Sequence, residues 1–540
     1  MIKSSIVAFC LSAVCLSSWA NNTLLDNQQQ LQQFQRQQQN RWLELHQFQA
    51  PPSENTPIEE NLSDICLPYQ RLQIVGATLI DPTPLLPLPY ECLNENRLNQ
   101  LSRDLTQAYL EAGYVYNPFQ FEDDGSGVLT LRVTEGKVTK LIGDSAKVNL
   151  SMLFPGILGT PLNIKVLDQG LDQANRLSSN DVSVDVLPAK NGEIALMFVN
   201  TPSSAISGAL TLDNYANAYY HRWKSRIDLS IDSPFGLSDN LYLGVSHTLK
   251  SFKTFNRSAI LYYSLPYGRW TFSSFGTFSQ FRQQFPLIYH TAEQKGKTWQ
   301  AGIRADYMFH RGSNHISTIS AQIERLNSQN YFNDSELVLQ SPKLSIAQLS
   351  FNHLQLFSQG SLIFNLDYRY GLSRLNTGEN QAPHQPEGYF RKWNADLQFA
   401  YLHWLGSAGI RQSHRLLAQY SQDSLPAIEQ MELLGRYAVR GFQDLSLSAE
   451  KSVLLQNTLS WITQLGTLHI EPYIGVDFGI QKNATENTSS RRAFSYLAGL
   501  KIAQPRWKMD LQWAKGKMQA YKGYPWETEY NVNFTFSLLW

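Results

Sequence analysis

Y-N-V-N-F-T-F-S-L-L-W, residues Tyr530 to Trp540, sets Tyr530, Val532, Phe534, Phe536, Leu538 and Trp540 on one face of an extended strand. Asn531, Asn533, Thr535 and Ser537 take the other face, because side chains alternate along a strand. An apolar face this continuous is a liability at the edge of a sheet in water. Two architectures accommodate it. In a transmembrane barrel the apolar face meets lipid and the polar face lines a wet lumen. In a sandwich the strand closes a sheet and is buried. The rest of the chain decides between them.

Composition favours the barrel. Mean hydropathy is −0.30, yet 12% of residues are aromatic, as expected where alternate residues face water and aromatic girdles mark the two interfaces. After residue 20 no run of about 18 uncharged apolar residues occurs, so no helix is expected to span a membrane; a membrane protein of this kind must be a closed barrel. Lys plus Arg equals Asp plus Glu at 45 each, which gives no support to general nucleic-acid binding. Lys3, the apolar run Ile6 to Leu16 and Ser18-Trp19-Ala20 read as an export signal over residues 1–20. Cys10 and Cys15 leave with it, while Cys66 and Cys92 enter an oxidising compartment, where they are expected to bridge. Closing that loop would stabilise the domain by roughly 3 to 4 kcal/mol. A metal site is the alternative, but two Cys without nearby His make a poor one.

Residues 21–49 are Gln-rich, carry scattered Leu, Phe34 and Trp42, and contain neither Gly nor Pro. One long, weakly amphipathic helix is expected, with an unpacked polar tail as the alternative. Residues 50–63 read as an extended linker. Residues 64–136 follow the order strand (Gln73 to Ile80), helix (Glu95 to Ala112), strand (Phe119 to Phe121), strand (Val128 to Val133). Residues 137–201 repeat it with Val138 to Ile142, a helix from Val166 to Ser178, Val182 to Leu187 and Ile194 to Val199. Each module is too small for an enzyme core, and each offers a strand edge that an extended peptide can pair with. Residues 205–540 show only strands and turns, enough for about 16 strands at near 20 residues per strand and connection.

Ala438-Val439-Arg440-Gly441-Phe442 and Tyr473-Ile474-Gly475-Val476-Asp477 carry a resemblance. The chain resembles the two-partner secretion transporters, the TpsB family, in its ShlB/FhaC/HecB haemolysin secretion and activation branch with the contact-inhibition transporters. The resemblance covers essentially the whole chain. It implies a 16-stranded outer-membrane barrel preceded by an N-terminal plug helix and two periplasmic polypeptide-transport-associated (POTRA) domains. Val439, Arg440, Gly441 and Phe442 correspond to the VRGF/Y motif at the tip of a long loop folded into the barrel. Gly475 and Asp477 correspond to the (F/G)xD motif on an inward-facing strand. A guanidinium holding a carboxylate by two hydrogen bonds would pin the loop to the wall of a wet pore, and Gly441 would free its tip conformationally. Ser264-Leu265-Pro266-Tyr267-Gly268 resembles a short turn of the same family, paired cysteines at Cys66 and Cys92 fit its first periplasmic domain, and Phe536 with Trp540 would serve as its barrel-assembly signal.

The resemblance implies secretion of one large TpsA-type exoprotein, recognised through its N-terminal secretion domain. It also implies contact with the outer-membrane assembly machinery and the lipid bilayer, action as a monomer, and no nucleic acid, metal or cofactor. The cargo class, whether haemolysin, adhesin or contact-dependent toxin, and its activation during export are left open. An insertase of the same superfamily is the alternative; a passive porin leaves the two modules unexplained. No catalytic motif competes. The 11 His show no H-E-x-x-H, Gly143 to Lys147 lacks phosphate-loop spacing, and no G-x-S-x-G occurs. Asp123-Asp124 before Gly125-Ser126-Gly127 reads as a hairpin turn.

Overall fold

The computed structural model describes residues 65–540 apart from 88–90, 250–252, 287–290, 373–387, 407 and 485–489. The expected export signal, N-terminal helix and linker lie outside the described residues. The first module comprises β1 (Arg71–Val75), α1 (Glu95–Ala112), β2 (Phe119–Asp123) and β3 (Val128–Val133), with sheet order β1-β3-β2. Asn94 caps α1 by accepting from the Arg97 N–H at 2.9 Å, and Gly113 ends it in the left-handed region. Leu101, Leu105 and Tyr109 bury one helix face against Leu72, Leu129, Leu131 and Val133. β1 stops at Val75, short of the expected Ile80. Gly76 turns there with φ +88°, where any Cβ would collide with the Val133 carbonyl. Cys66 and Cys92 form a disulfide with Cα atoms 5.4 Å apart. Gly125 and Ser126 donate their N–H groups to the Asp123 and Asp124 carboxylates, which makes that segment a turn.

Glu135, at the end of the first module, fastens back onto it. Its carboxylate accepts from the Thr78 and Leu79 N–H groups at 2.6 and 2.8 Å, from the Thr78 hydroxyl at 2.5 Å and from the Tyr109 hydroxyl at 2.9 Å. Burial pushes this carboxyl upward, but the hydrogen bonds outweigh it and hold the group below its ordinary value. The second module comprises β4 (Lys137–Ile142), α2 (Leu150–Leu153), α3 (Ile164–Asn175), β5 (Val182–Pro188) and β6 (Glu193–Asn200), in sheet order β4-β6-β5. α3 ends at Asn175, earlier than the expected Ser178, because the Asn175 side chain turns to bracket the Val182 backbone at 2.9 and 2.7 Å. The short α2 was not anticipated; the Asn149 side chain nucleates it by accepting from the Met152 N–H.

A closed antiparallel barrel follows. Its first strands are β7 (Ile206–Asp213), β8 (Lys224–Asp232), β9 (Asn240–Thr248), β10 (Phe255–Tyr267), β11 (Trp270–Pro286), β12 (Thr291–Arg311) and β13 (His315–Phe332). The two-residue β14 (Ser335–Glu336) extends the β13 hairpin before β15 (Lys343–Phe357), β16 (Gly360–Gly371), β17 (Arg391–Leu405) and β18 (Ala408–Tyr420). A small separate ribbon, β19 (Met431–Glu432) with β20 (Ser448–Ala449), precedes β21 (Lys451–Leu465), β22 (Leu468–Lys482), β23 (Arg491–Gln504), β24 (Trp507–Gln519) and β25 (Glu527–Leu539). Leaving out β14, β19 and β20, sixteen strands close the ring. Tyr530, Val532 and Trp540 are 61%, 58% and 58% exposed on the outside, while Asn531 and Asn533 are buried. The barrel reading of the last strand therefore holds over the sandwich. The inward positions are polar, among them Ser258, Thr277, Gln300, Gln322, Gln348 and Asn352.

The barrel closes where β25 pairs with β7, Thr535–Leu539 against Asp213–Ala209. Below this, Trp540 and Gly208 exchange backbone hydrogen bonds at 3.0 and 3.1 Å, and the Trp540 ring occupies the space that a Gly208 Cβ would take. Above it, the Asn214 N–H still donates to the Phe534 carbonyl at 3.3 Å, and its side chain adds to the pairing by donating to the Val532 carbonyl at 2.9 Å and accepting from the Phe534 N–H at 2.8 Å.

The second module docks on the end of the barrel that carries short turns. Arg311, just before the β12–β13 turn, donates to Asp172 at 2.8 Å and Asp168 at 2.9 Å, one helical turn apart on α3. Gln173 reaches the Thr271 hydroxyl at 2.9 Å, Arg176 reaches the Ser264 hydroxyl at 2.6 Å, and Gln169 bonds the Gly268 carbonyl. Ser264 to Gly268, singled out in the sequence as a turn, is thus the docking point for α3. The long loops open at the opposite end.

Candidate functional site: the loop inside the barrel

Residues 421–450, between β18 and β21, turn back into the barrel and meet its inner wall. Arg440 donates through Nε to Asp477 Oδ2 at 2.8 Å and through Nη2 to Asp477 Oδ1 at 2.6 Å, the fork geometry that suits a carboxylate. Its own backbone N–H reaches the same Oδ2 at 3.0 Å. Nη2 continues to the Asn457 carbonyl at 3.2 Å and the Thr458 hydroxyl at 3.0 Å on β21. Asp477 is fully buried and Arg440 is 16% exposed. The two partners differ in setting: Asp477 lies beneath the loop, while Arg440 borders a cavity of about 280 Å³ in the lumen that Gln398, Arg415, Gln456 and Thr458 also line.

Glycines on the wall make the close approach possible. Val476 and Phe478 point outward and are exposed, so Gly475, Asp477 and Gly479 face the lumen along β22. A Cβ on Gly479 would meet Leu433 at 2.7 Å and Val439 at 2.8 Å. On β24, a Cβ at Gly516 would lie 2.5 Å from the Phe442 ring. Gly441, with φ +102°, lies against the Lys515–Gly516 backbone. Val439 and Phe442 join Leu433, Leu434, Ala438, Leu454, Ala493 and Met518 in a small apolar cluster between loop and wall. The four motif residues thus divide the work: Arg440 grips, Gly441 turns, and Val439 and Phe442 fill.

Two further attachments hold the loop. At its entry Glu429, buried, lies 3.2 Å from Arg369 of β16 and 2.9 Å from Lys392 of β17, while Arg369 also meets Glu324 of β13 at 2.5 Å. After the tip, Glu529 of β25 accepts from the N–H groups of Gln443, Asp444 and Leu445 at 2.8, 3.1 and 3.3 Å. Asp444 in turn pairs with Arg222 at 2.5 Å and accepts from the Ala218 N–H at 3.0 Å, while Gln443 donates to the Asn214 and Ala216 carbonyls. This arm of the loop thereby bridges the last barrel strand and the connection between β7 and β8.

The sequence reading missed Glu429, Glu529, Gly479 and Gly516. The glycines did leave a signal: each interrupts a strand at an inward position, where a missing side chain marks close approach by another segment. The glutamates left none, since their partners lie far away in sequence. Phe536 stacks on Trp507 with ring centroids 6.2 Å apart on the outer face, and Trp540 sits at the closure beside Gly208. Among the described residues no cluster of His, Cys, Asp or Glu is arranged to hold a metal.

Comparison with known proteins agrees with this layout. Residues 192–502 match the family model for the haemolysin secretion/activation protein ShlB/FhaC/HecB, residues 67–136 a ShlB-type POTRA domain, and residues 130–188 a POTRA domain. The chain is 36% identical over 512 residues to the haemolysin transporter protein HpmB of Proteus mirabilis, covering 93% of this chain and 90% of that one. It is 35% identical to the haemolysin transporter protein ShlB of Serratia marcescens, over 84% and 82% of the two chains. In fold it is similar to the solved structure of CdiB from Escherichia coli, with a TM-score of 0.84 at 22% identity over 96% and 98% of the chains. With a family model matched over more than half its length and relatives at this identity, the chain belongs to the ShlB/FhaC/HecB haemolysin secretion/activation family, the TpsB transporters of two-partner secretion.

Proposed function

We propose that this outer-membrane barrel, with its two small modules in the periplasm, recognises one large exoprotein and passes it unfolded to the cell surface. The observation that carries this reading is the loop of residues 421–450, pinned inside the lumen by Arg440 and Asp477 within a chain whose family is that of secretion transporters. A loop that fills the lumen bars passage at rest, and its displacement admits the cargo. The modules receive the secretion domain of the cargo, with pairing to an exposed strand edge as the recognition mode, because backbone hydrogen bonds bind an extended chain with little sequence demand. Direction comes from folding of the cargo outside, since no nucleotide is available in the periplasm. One barrel suffices for the task, and its aromatic C-terminus, with Phe536 and Trp540, is what the outer-membrane assembly machinery reads.

The test is export of the large exoprotein encoded beside this gene, expressed in a host with an outer membrane. Exoprotein is expected in the medium with wild type and to be much reduced with Arg440→Ala or Asp477→Ala, while both variants still form heat-modifiable barrels. Exoprotein retained in the periplasm by a folded wild-type barrel would refute the reading and favour an insertase.

A further inference from the structure

On the outer surface of the barrel, cations concentrate at the loop end of β12, β13 and β15. Lys297, Arg325 and Lys343 are all exposed. Their strands place them together: Lys297 stands opposite Gln329, Lys343 opposite Asn327, and Arg325 two residues before Asn327 on the same outward face. Directly opposed positions lie about 5 Å apart and diagonal ones about 7 to 8 Å, so three side chains this long can converge on one group above Asn327. Outward orientation is fixed by the alternation of β13, where Ile319 and Ile323 are exposed and Ser320, Gln322 and Glu324 are buried.

Neighbouring cations are already neutralised. Arg282 pairs with Glu293, and Lys295 pairs with Glu293 and Asp334. Among the described residues Lys297, Arg325 and Lys343 have no carboxylate partner. Below them, towards the modules, the outward positions turn apolar: Trp299, Ile303, Ile323 and Leu349. At the far end of these strands and of β11 the outer surface carries Trp270, Phe272, Phe309 and Phe357. Unpaired positive charge therefore stands at the upper edge of the lipid-facing band. Cations at that depth are favoured where headgroups carry negative charge, and Trp299 beneath them suits the boundary between acyl chains and polar heads.

We propose that Lys297, Arg325 and Lys343 form a binding site for the phosphate of a phosphorylated, acylated glycolipid in the outer leaflet. The phosphate lies among the three cations, and the acyl chains run down over Trp299, Ile323 and Leu349. Lys and Arg stems lie along the barrel wall and lift their heads to this level.

The experiment uses the full-length protein extracted in mild detergent and titrated, under native mass spectrometry, with a bisphosphorylated lipid A and with the same lipid enzymatically dephosphorylated. Wild type is expected to hold the phosphorylated form. The triple variant Lys297→Gln, Arg325→Gln, Lys343→Gln is expected to bind it roughly a hundredfold more weakly, as removal of three near-surface cations implies. The charge-preserving triple Lys297→Arg, Arg325→Lys, Lys343→Arg is expected to stay within about threefold of wild type. Should the neutral triple fail to assemble, Lys297→Gln alone is expected to lose about fivefold. Equal binding by wild type and the neutral variants, or equal binding of the dephosphorylated lipid, overturns the proposal. So does full displacement of the lipid by millimolar inorganic phosphate, which would mark a site for a free ion.

Discussion

Replacing Arg440 by Ala should release the loop tip by an amount the structure allows one to bound. The substitution removes both guanidinium bonds to Asp477, together with those to the Asn457 carbonyl and the Thr458 hydroxyl. Asp477 is left buried with only the residue-440 N–H at 3.0 Å and the Ser495 hydroxyl at 3.5 Å. Breaking one side of a buried ion pair costs about 3 to 5 kcal/mol, mostly from the carboxylate left without its cation. Asp477→Ala should cost less, because Arg440 keeps some access to the lumen and can turn its guanidinium to water. With both gone, neither penalty remains, so the double variant should fall short of the sum of the singles by about 1 to 3 kcal/mol. The assay is amide hydrogen exchange over residues 437–443 in the assembled, detergent-solubilised protein. Protection there should fall by roughly two to four orders of magnitude in Arg440→Ala. Additive losses in the three variants, with coupling below about 0.5 kcal/mol, would falsify the claim that this pair holds the loop.

Gly516→Ala should push the Phe442 ring off the wall at a cost of about 1 to 3 kcal/mol; more frequent opening in planar bilayers is expected, and unchanged traces would mean that the ring is not seated there. Glu135 makes the first module sensitive to acid. Because its pKa is lower folded than unfolded, its contribution is complete above the ordinary carboxylate value and disappears as pH falls through the lower folded value. In calorimetry of the full chain the module transition should therefore hold steady down to the ordinary carboxylate range and weaken as the pH falls below it, and Glu135→Gln should flatten that dependence; parallel curves for both proteins would remove Glu135 as the cause. Arg311→Ala leaves Asp168 and Asp172 without their shared cation. Spin labels on α3 and the barrel rim should then report a broader distance distribution, whereas an unchanged one assigns docking to the Gln169, Gln173 and Arg176 contacts.

The parts of this molecule that could be read in the sequence are those whose physics is local. The alternation of Tyr530 to Trp540 had only one solvent arrangement compatible with the rest of the chain, and the helix expected over Glu95 to Ala112 is α1 with the same bounds. Arg440 and Asp477 were legible because a recurring motif marks them, although the burial of Asp477 was not: it depends on the loop folding back against β22, which no spacing reveals. Asp168 and Asp172 carry no local signal of their role, because their partner Arg311 lies far along the chain. Arg369, Glu324, Glu429 and Lys392 come from four separate elements, and only the closed ring gathers them.

The bridge that Gln443 to Leu445 makes between Glu529 on β25 and the Asn214, Ala216 and Arg222 region beside β7 bears on how the protein is made. Ring closure joins segments more than 300 residues apart, such as Asn214 and Phe534, and pairing this distant in sequence is intrinsically slow. The strands β21 to β25 are synthesised after the loop they surround, and β25 must close a ring that already contains it. If the loop enters first, its amides offer Glu529 and the β7–β8 connection a common template, and the two ends of the barrel are brought into register by a piece of its own interior. Biogenesis then resembles casting around a core: the part that later obstructs the channel is the part around which the wall is completed.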